Sequence, residues 1–176
     1  MGATSLVDVG GGTSTVVDEA LRLGLRRIAV VDVSERALEV ARDRLGRAAE
    51  RVEWIVADLT ELGGLGQFGV WHDRAVLHFL TNPTSQDRYV TLCERTVVTG
   101  GTAIVATFAP DGPDACSGLR VHRYDESGLS ERCGPRFALM DSERHTHMTP
   151  RGVEQRFLYA SFRRTADDLV SASISG

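Results

Sequence analysis

Three acidic residues stand at or near the ends of short apolar runs. They are Asp8 within residues 6–9, Asp32 after residues 28–31 and Asp58 after residues 52–56. Three consecutive glycines, Gly10, Gly11 and Gly12, lie between the first two acids. A glycine run directly after a strand lets the backbone pass close to a ligand, and amides at the start of the next helix suit a carboxylate or a phosphate equally. Asp32, 20 residues beyond Gly12, is placed to accept hydrogen bonds from both hydroxyls of a ribose. The pattern points to a nucleotide-like ligand at the carboxyl edge of a sheet. A dinucleotide site normally asks for G-x-G-x-x-G, and Thr15 holds the last glycine position here. Asp8 would also set an anion beside a pyrophosphate, whereas a cationic amino group would welcome it. An NAD(P)-dependent oxidoreductase is therefore the weaker alternative.

A second cluster, Asp73, Arg74 and His78, follows the fourth apolar run, which begins at Val70. Asp73 is the candidate to orient or deprotonate a reacting group; alternatively it caps the strand end and pairs with Arg74. His78, with an ordinary pKa of about 6.5, suits a general base, but among Val76, Leu77 and Phe79 it reads equally as a core histidine. His145 and His147 share a strand face, which favours edge-strand polarity over a metal pair because no third ligand is evident. Cys116, in a loop with glycine and proline nearby, is either an inert thiol or a group facing an acceptor. Trp54 and Trp71 read as packing.

The elements that must position these groups alternate. Apolar positions Val16, Val17, Ala20 and Leu21 recur at helical spacing until Gly24, and Ser34 caps a helix with a stripe of Ala37, Leu38, Ala41 and Leu45. Thr84 to Asp87 has the form of a capping box for a helix that Gly100 and Gly101 end, and residues 102–108 form a fifth strand. Short, non-alternating apolar strands between helices predict a parallel sheet covered on both faces. A modest helix over 125–133 precedes two strands, 137–147 and 153–162, joined by a turn at 149–152, so the sheet should finish with an antiparallel hairpin. One domain over 1–164 and a frayed tail over 165–176 are expected.

A chain of 176 residues fits one such domain, and a net charge of -4 argues against a nucleic-acid-coating surface. Cys93, Cys116 and Cys133 match no zinc spacing and form no closed disulfide set. With no signal peptide and no membrane-length apolar run, the protein is expected to be cytoplasmic.

LVDVGGGTS (6–14), VVDVS (30–34) and ADLTEL (57–62) resemble the first three motifs of class I S-adenosylmethionine-dependent methyltransferases. The resemblance implies a Rossmann-like doubly wound α/β sheet of seven strands, mostly parallel, with one reversed strand. It also implies S-adenosylmethionine as cofactor. Asp8 and Gly10 to Gly12 would line its methionine moiety, and Asp32 would bind the ribose with Val33 beside it. Asp58 would meet the adenine amino group, with Leu59 against the ring. Ser14 replaces the family's third glycine. WHDRAVLHFLTNP (71–83) resembles the Asp-Arg-Ala stretch of thiopurine S-methyltransferase-like enzymes and, more closely, bacterial methyltransferases of unassigned substrate. Residues 106–124 and 147–164 extend that likeness. In this frame Asp73 would stand beside the transferred methyl group, and the acceptor would be a small molecule or a protein side chain.

Such enzymes usually carry some tens of residues before the first strand, which this chain reaches at about Leu6. An N-terminal cap is thus expected to be missing, leaving the site open to water, with cofactor affinity partly retained and turnover weak. A truncated sequence, a cap supplied by a partner and a noncatalytic binding domain are the competing explanations. A sheet edge left by the short N-terminus is expected to invite homodimer pairing.

Overall fold

The computed structural model describes residues 4–149 and 152–166. The first strand, β1 (Ser5–Val9), leads through the glycines into α1 (Val16–Arg22), which buries Val17, Ala20 and Leu21. Next come β2 (Arg27–Asp32) and α2 (Glu35–Leu45). The Ser34 hydroxyl caps α2 by accepting from the Ala37 amide at 3.2 Å, and Leu38 and Ala41 are the fully buried members of its stripe. A 3-10 segment leads to β3 (Val52–Val56), and β4 (Phe68–Arg74) follows. A 3-10 turn (Leu77–Phe79) then precedes α3 (Pro83–Thr96).

The capping box expected at Thr84 is not the cap of α3. Asn82 accepts from the Ser85 amide at 2.9 Å, and Pro83 opens the first turn, where its missing N–H costs nothing. Nor do Gly100 and Gly101 end this helix. It stops at Thr96, and β5 (Val97–Phe108) starts with the β-branched Val97 and Val98. The glycines form an irregularity inside β5, between the pairings Phe68–Val97 and Val70–Thr102. A Cβ on Gly101 would lie 2.9 Å from the Gly69 carbonyl oxygen of β4.

A two-stranded hairpin absent from the expectations, β6 (Ala115–Cys116) and β7 (Leu119–Arg120), interrupts the loop after β5. Then α4 (Glu126–Cys133) is capped by Asp125, and β8 (Phe137–Met148) and β9 (Glu154–Arg164) form the long antiparallel hairpin. Part of its turn, residues 150–151, lies outside the described residues.

The seven strands run β3-β2-β1-β4-β5-β9-β8, parallel except for β9, which is antiparallel to both neighbours. This is the mostly parallel, doubly wound α/β sheet expected. The strand β1 is central, so among the described residues the sheet's edges are β3 and β8, and the exposed edge expected for homodimer pairing is not formed at β1. The larger core packs Val7, Val9, Trp71 and Phe162 with Tyr89 and Leu92 of α3 and Leu129 of α4. A second cluster joins Val17, Leu21 and Leu38 of α1 and α2 to Ile28 and Val30. Thr165, assigned to the tail, donates its amide to the Arg136 carbonyl at 2.9 Å; residues 167–176 lie outside the described residues. No described helix is long and apolar enough to cross a membrane.

Candidate functional site

The chain runs from β1 outward to β2 and β3, then crosses back to place β4 on the other side of β1. Loops leaving β1 and β4 therefore diverge, and the crevice between them lies at the carboxyl ends of the strands. The glycine turn occupies that crevice. Gly10 and Gly12 have φ of +63° and +46°, a region that L side chains rarely adopt, and both Gly10 and Gly11 donate their amides to the Val31 carbonyl. A Cβ on Gly10 would collide with a methyl of Val76, so the turn after β4 closes directly onto the glycines.

Two hollows meet at Gly10. One, of about 420 Å³, is largely apolar and is lined by Asp32, Val33, Asp58, Leu59, Phe79 and Leu119 among others. The other, of about 300 Å³, is polar and is formed by Asp8, the three glycines, Ser14 and Arg74 with their neighbours. Asp32 commits Oδ1 to the Ser34 amide at 2.8 Å, while Oδ2 faces Gly12. Asp58 Oδ1 accepts from both the amide and the hydroxyl of Thr60 at 2.8 Å. Leu59 is buried in the cavity wall, and Val33 is 69% exposed at its lip. Asp8 is only 2% exposed; its Oδ1 lies 2.7 Å from His72 Nδ1, and its Oδ2 has no partner among the described residues.

The reaction-end candidates are placed differently from expectation. Asp73 is fully buried and lines neither hollow. Its carboxylate accepts from the Val76 amide at 2.7 Å, the Leu77 amide at 3.0 Å and the Tyr89 hydroxyl at 2.6 Å. Burial pushes its pKa up to about 6, against the pull of those three donors. With its oxygens so engaged, Asp73 anchors the turn over Gly10. The alternative pairing with Arg74 is not formed either; Arg74 is exposed and borders the polar hollow. His78 is fully buried against Phe79 and Phe108, neither ring nitrogen has a partner among the described residues, and desolvation lowers its pKa to about 4. It is a core histidine in the wall behind the cavity.

His145 and His147 are exposed on β8, and no described group of three or more His, Cys, Asp or Glu residues could hold a metal ion. Cys116 is half-buried against the cluster of Ala106, Phe108 and Phe157, and all three cysteines are free. The Trp54 indole donates to the Ala49 carbonyl, and Trp71 donates to Tyr89 at 3.0 Å inside the core. The sequence reading missed His72, Val76, Phe79, Leu80 and Leu119. Only His72 carried a usable signal, since parallel register on adjacent strands places it opposite Asp8.

Residues 6–101, more than half of the chain, match the methyltransferase domain family. The chain belongs to that family. Its fold is shared by the 1,6-didemethyltoxoflavin-N1-methyltransferase of Burkholderia thailandensis. That match has a TM-score of 0.73 at 24% identity over 93% of this chain and 72% of that one. The N-methyltransferase NodS of Bradyrhizobium japonicum gives 0.73 at 16% identity, over 93% and 79%. An S-adenosylmethionine-dependent methyltransferase from Mesorhizobium loti gives 0.73 at 18%, over 93% and 91%. No curated protein sequence matches the chain. As a class I S-adenosylmethionine-dependent methyltransferase, this enzyme carries the family's reversed strand as β9, and the oxidoreductase alternative falls away.

Proposed function

We propose that this methyltransferase transfers the methyl group of S-adenosylmethionine to a small-molecule acceptor. The observation that carries the reading is the order of groups along the joined hollows. Apolar walls at Leu59 and Val33 come first, then the Asp32 carboxylate, then bare glycine backbone, and finally Asp8 with Arg74. The cofactor presents a base, a ribose, a sulfonium link and a zwitterionic amino acid in the same sequence.

The residues present fit that molecule. Side chains at Gly10 and Gly11 would strike Val76 and Val30 and push apart the turn that lines the hollows, and the unpartnered Asp8 Oδ2 is a buried acceptor suited to an ammonium. Arg74 offers a guanidinium for the carboxylate, and Asp32 keeps one oxygen for ribose hydroxyls. When bound, the cofactor supplies an electrophilic methyl group for an in-line displacement. The chain's part is to fix the geometry: Asp73 holds Val76 over Gly10, and Phe79, Leu80 and Leu119 wall the apolar side. The Burkholderia enzyme of this fold has bound 1,6-didemethyltoxoflavin and S-adenosylhomocysteine, which supports a small molecule as the acceptor class.

Calorimetric titration with S-adenosylhomocysteine tests the cofactor site. The expected result is saturable one-to-one binding, weakened by about tenfold or more in Asp32→Ala, which removes hydrogen bonds to a charged group. A folded chain that binds no S-adenosylhomocysteine would overturn the reading. Release of S-adenosylhomocysteine against a panel of small amines, thiols and hydroxyl compounds then tests the acceptor class; transfer to proteins alone would sink it.

A further inference from the structure

Asp8 and His72 occupy matched positions on the parallel strands β1 and β4, so their side chains leave the same face of the sheet side by side. The contact is short, 2.7 Å from His72 Nδ1 to Asp8 Oδ1, and sheltered, with side-chain exposures of 13% and 2%. A carboxylate only accepts, so Nδ1 carries the hydrogen. The other oxygen, Oδ2, is buried and unpartnered among the described residues, and it faces Gly11, where an added Cβ would lie 2.9 Å away. One oxygen is therefore committed to a neighbour in the sheet, and the other is left toward the glycine turn.

We propose that His72 is a positioning residue, which holds one oxygen of Asp8 so that the other is presented to the ammonium group of the cofactor's amino-acid end. The inference rests on the S-adenosylmethionine reading above. The terminal torsion of an aspartate is broad and roughly two-fold, so an unanchored carboxylate has no fixed direction. A charge-assisted bond from Nδ1 removes that freedom and satisfies the buried anion on the side away from the ligand. The effect is confined to the amino-acid end, because in that reading the adenosine half would meet Asp32, Asp58 and Leu59, which line the other hollow.

Asn and Gln at position 72 separate geometry from mere polarity. An Asn amide nitrogen sits where Nδ1 does, two bonds beyond Cβ, whereas a Gln amide lies one bond further out. The full-length wild type, His72→Asn and His72→Gln are titrated with S-adenosylhomocysteine and with 5′-methylthioadenosine, which keeps the nucleoside and sulfur but lacks the amino acid. The expected result is an S-adenosylhomocysteine affinity about tenfold weaker in His72→Gln and close to wild type in His72→Asn. Affinity for 5′-methylthioadenosine should be unchanged in both, which also reports that the variants are folded. Equal losses for both ligands would mean that His72 only supports the fold, and equal behaviour of Asn and Gln would mean that donor position is irrelevant; either overturns the inference. Wild type that binds 5′-methylthioadenosine and S-adenosylhomocysteine with His72→Gln unaffected sinks this inference alone, while wild type that binds neither sinks the cofactor reading with it.

Discussion

Burial acts on Asp73 and His78 in opposite senses. Asp73 titrates at about 6 in the folded chain against an ordinary 3.8, so the native state holds its proton longer, and its contribution to stability falls as pH rises from 3.8 to 6. His78 titrates at about 4 against 6.5, so the native state sheds its proton sooner, and its contribution falls as pH drops from 6.5 to 4. Each effect is worth about 3 kcal/mol at roughly 1.4 kcal/mol per pKa unit. Their slopes oppose between pH 4 and 6, so these two residues together leave stability nearly level there. Asp73→Asn should expose the histidine slope, losing about 3 kcal/mol on acidification from pH 6.5 to 4, and His78→Leu should expose the reverse slope. Urea unfolding at pH 4, 5, 6 and 7 checks both; parallel profiles in wild type and variants would contradict the assignment. At Gly10, positive φ and the Val76 methyl act together, so Gly10→Ala should cost about 1–3 kcal/mol in stability and abolish S-adenosylhomocysteine binding in calorimetry.

Among the elements, α3 matters because its N-terminus follows the turn that Asp73 anchors. Its cap is a single side chain, so Asn82→Ala should lower the unfolding free energy by about 1 kcal/mol, read as a shift in urea midpoint without a change in slope. The strands were legible because β1, β2 and β3 are buried apolar runs ended by acids, which is what a covered parallel sheet demands. The cap was misplaced because Thr84 also satisfies the box pattern, and the choice between it and Asn82 depends on where Pro83 starts the helix. Gly100 and Gly101 read as a helix stop for a local reason, whereas Gly100 takes a φ of +77° inside the strand and Gly101 is pressed by two carbonyl oxygens, that of Val98 nearby in sequence and that of Gly69 on the neighbouring strand, which no local window contains. The glycines and acids of the site were likewise visible from spacing. The burial of Asp73 and His78 was not visible from residue type, because it is set by the packing of Tyr89 and Phe108 from elements distant in sequence. The Asp8 and His72 contact spans 64 residues and exists only through register.

At the scale of the whole molecule, the two cores lie on opposite faces of one continuous sheet, so we expect a single cooperative unfolding transition. Ligand should shift that transition as a unit. S-adenosylhomocysteine at 100 times its Kd adds about 2.7 kcal/mol, which raises Tm by roughly 5–10 °C for a chain of this size. Calorimetric scans with and without ligand read both quantities, and two separate transitions, only one of them responsive, would show that the sheet is not one cooperative body. The order of the sheet also has a consequence for how the chain is made. β9 is synthesised after β8 yet lies between β8 and β5. Until β9 is in place, β5 has a bare flank and β8 has no strand to pair against. The flank of β5 is thus an unpaired edge until the last strand fills the gap, and a chain cut before β9 would carry that edge permanently and be prone to pair with other chains.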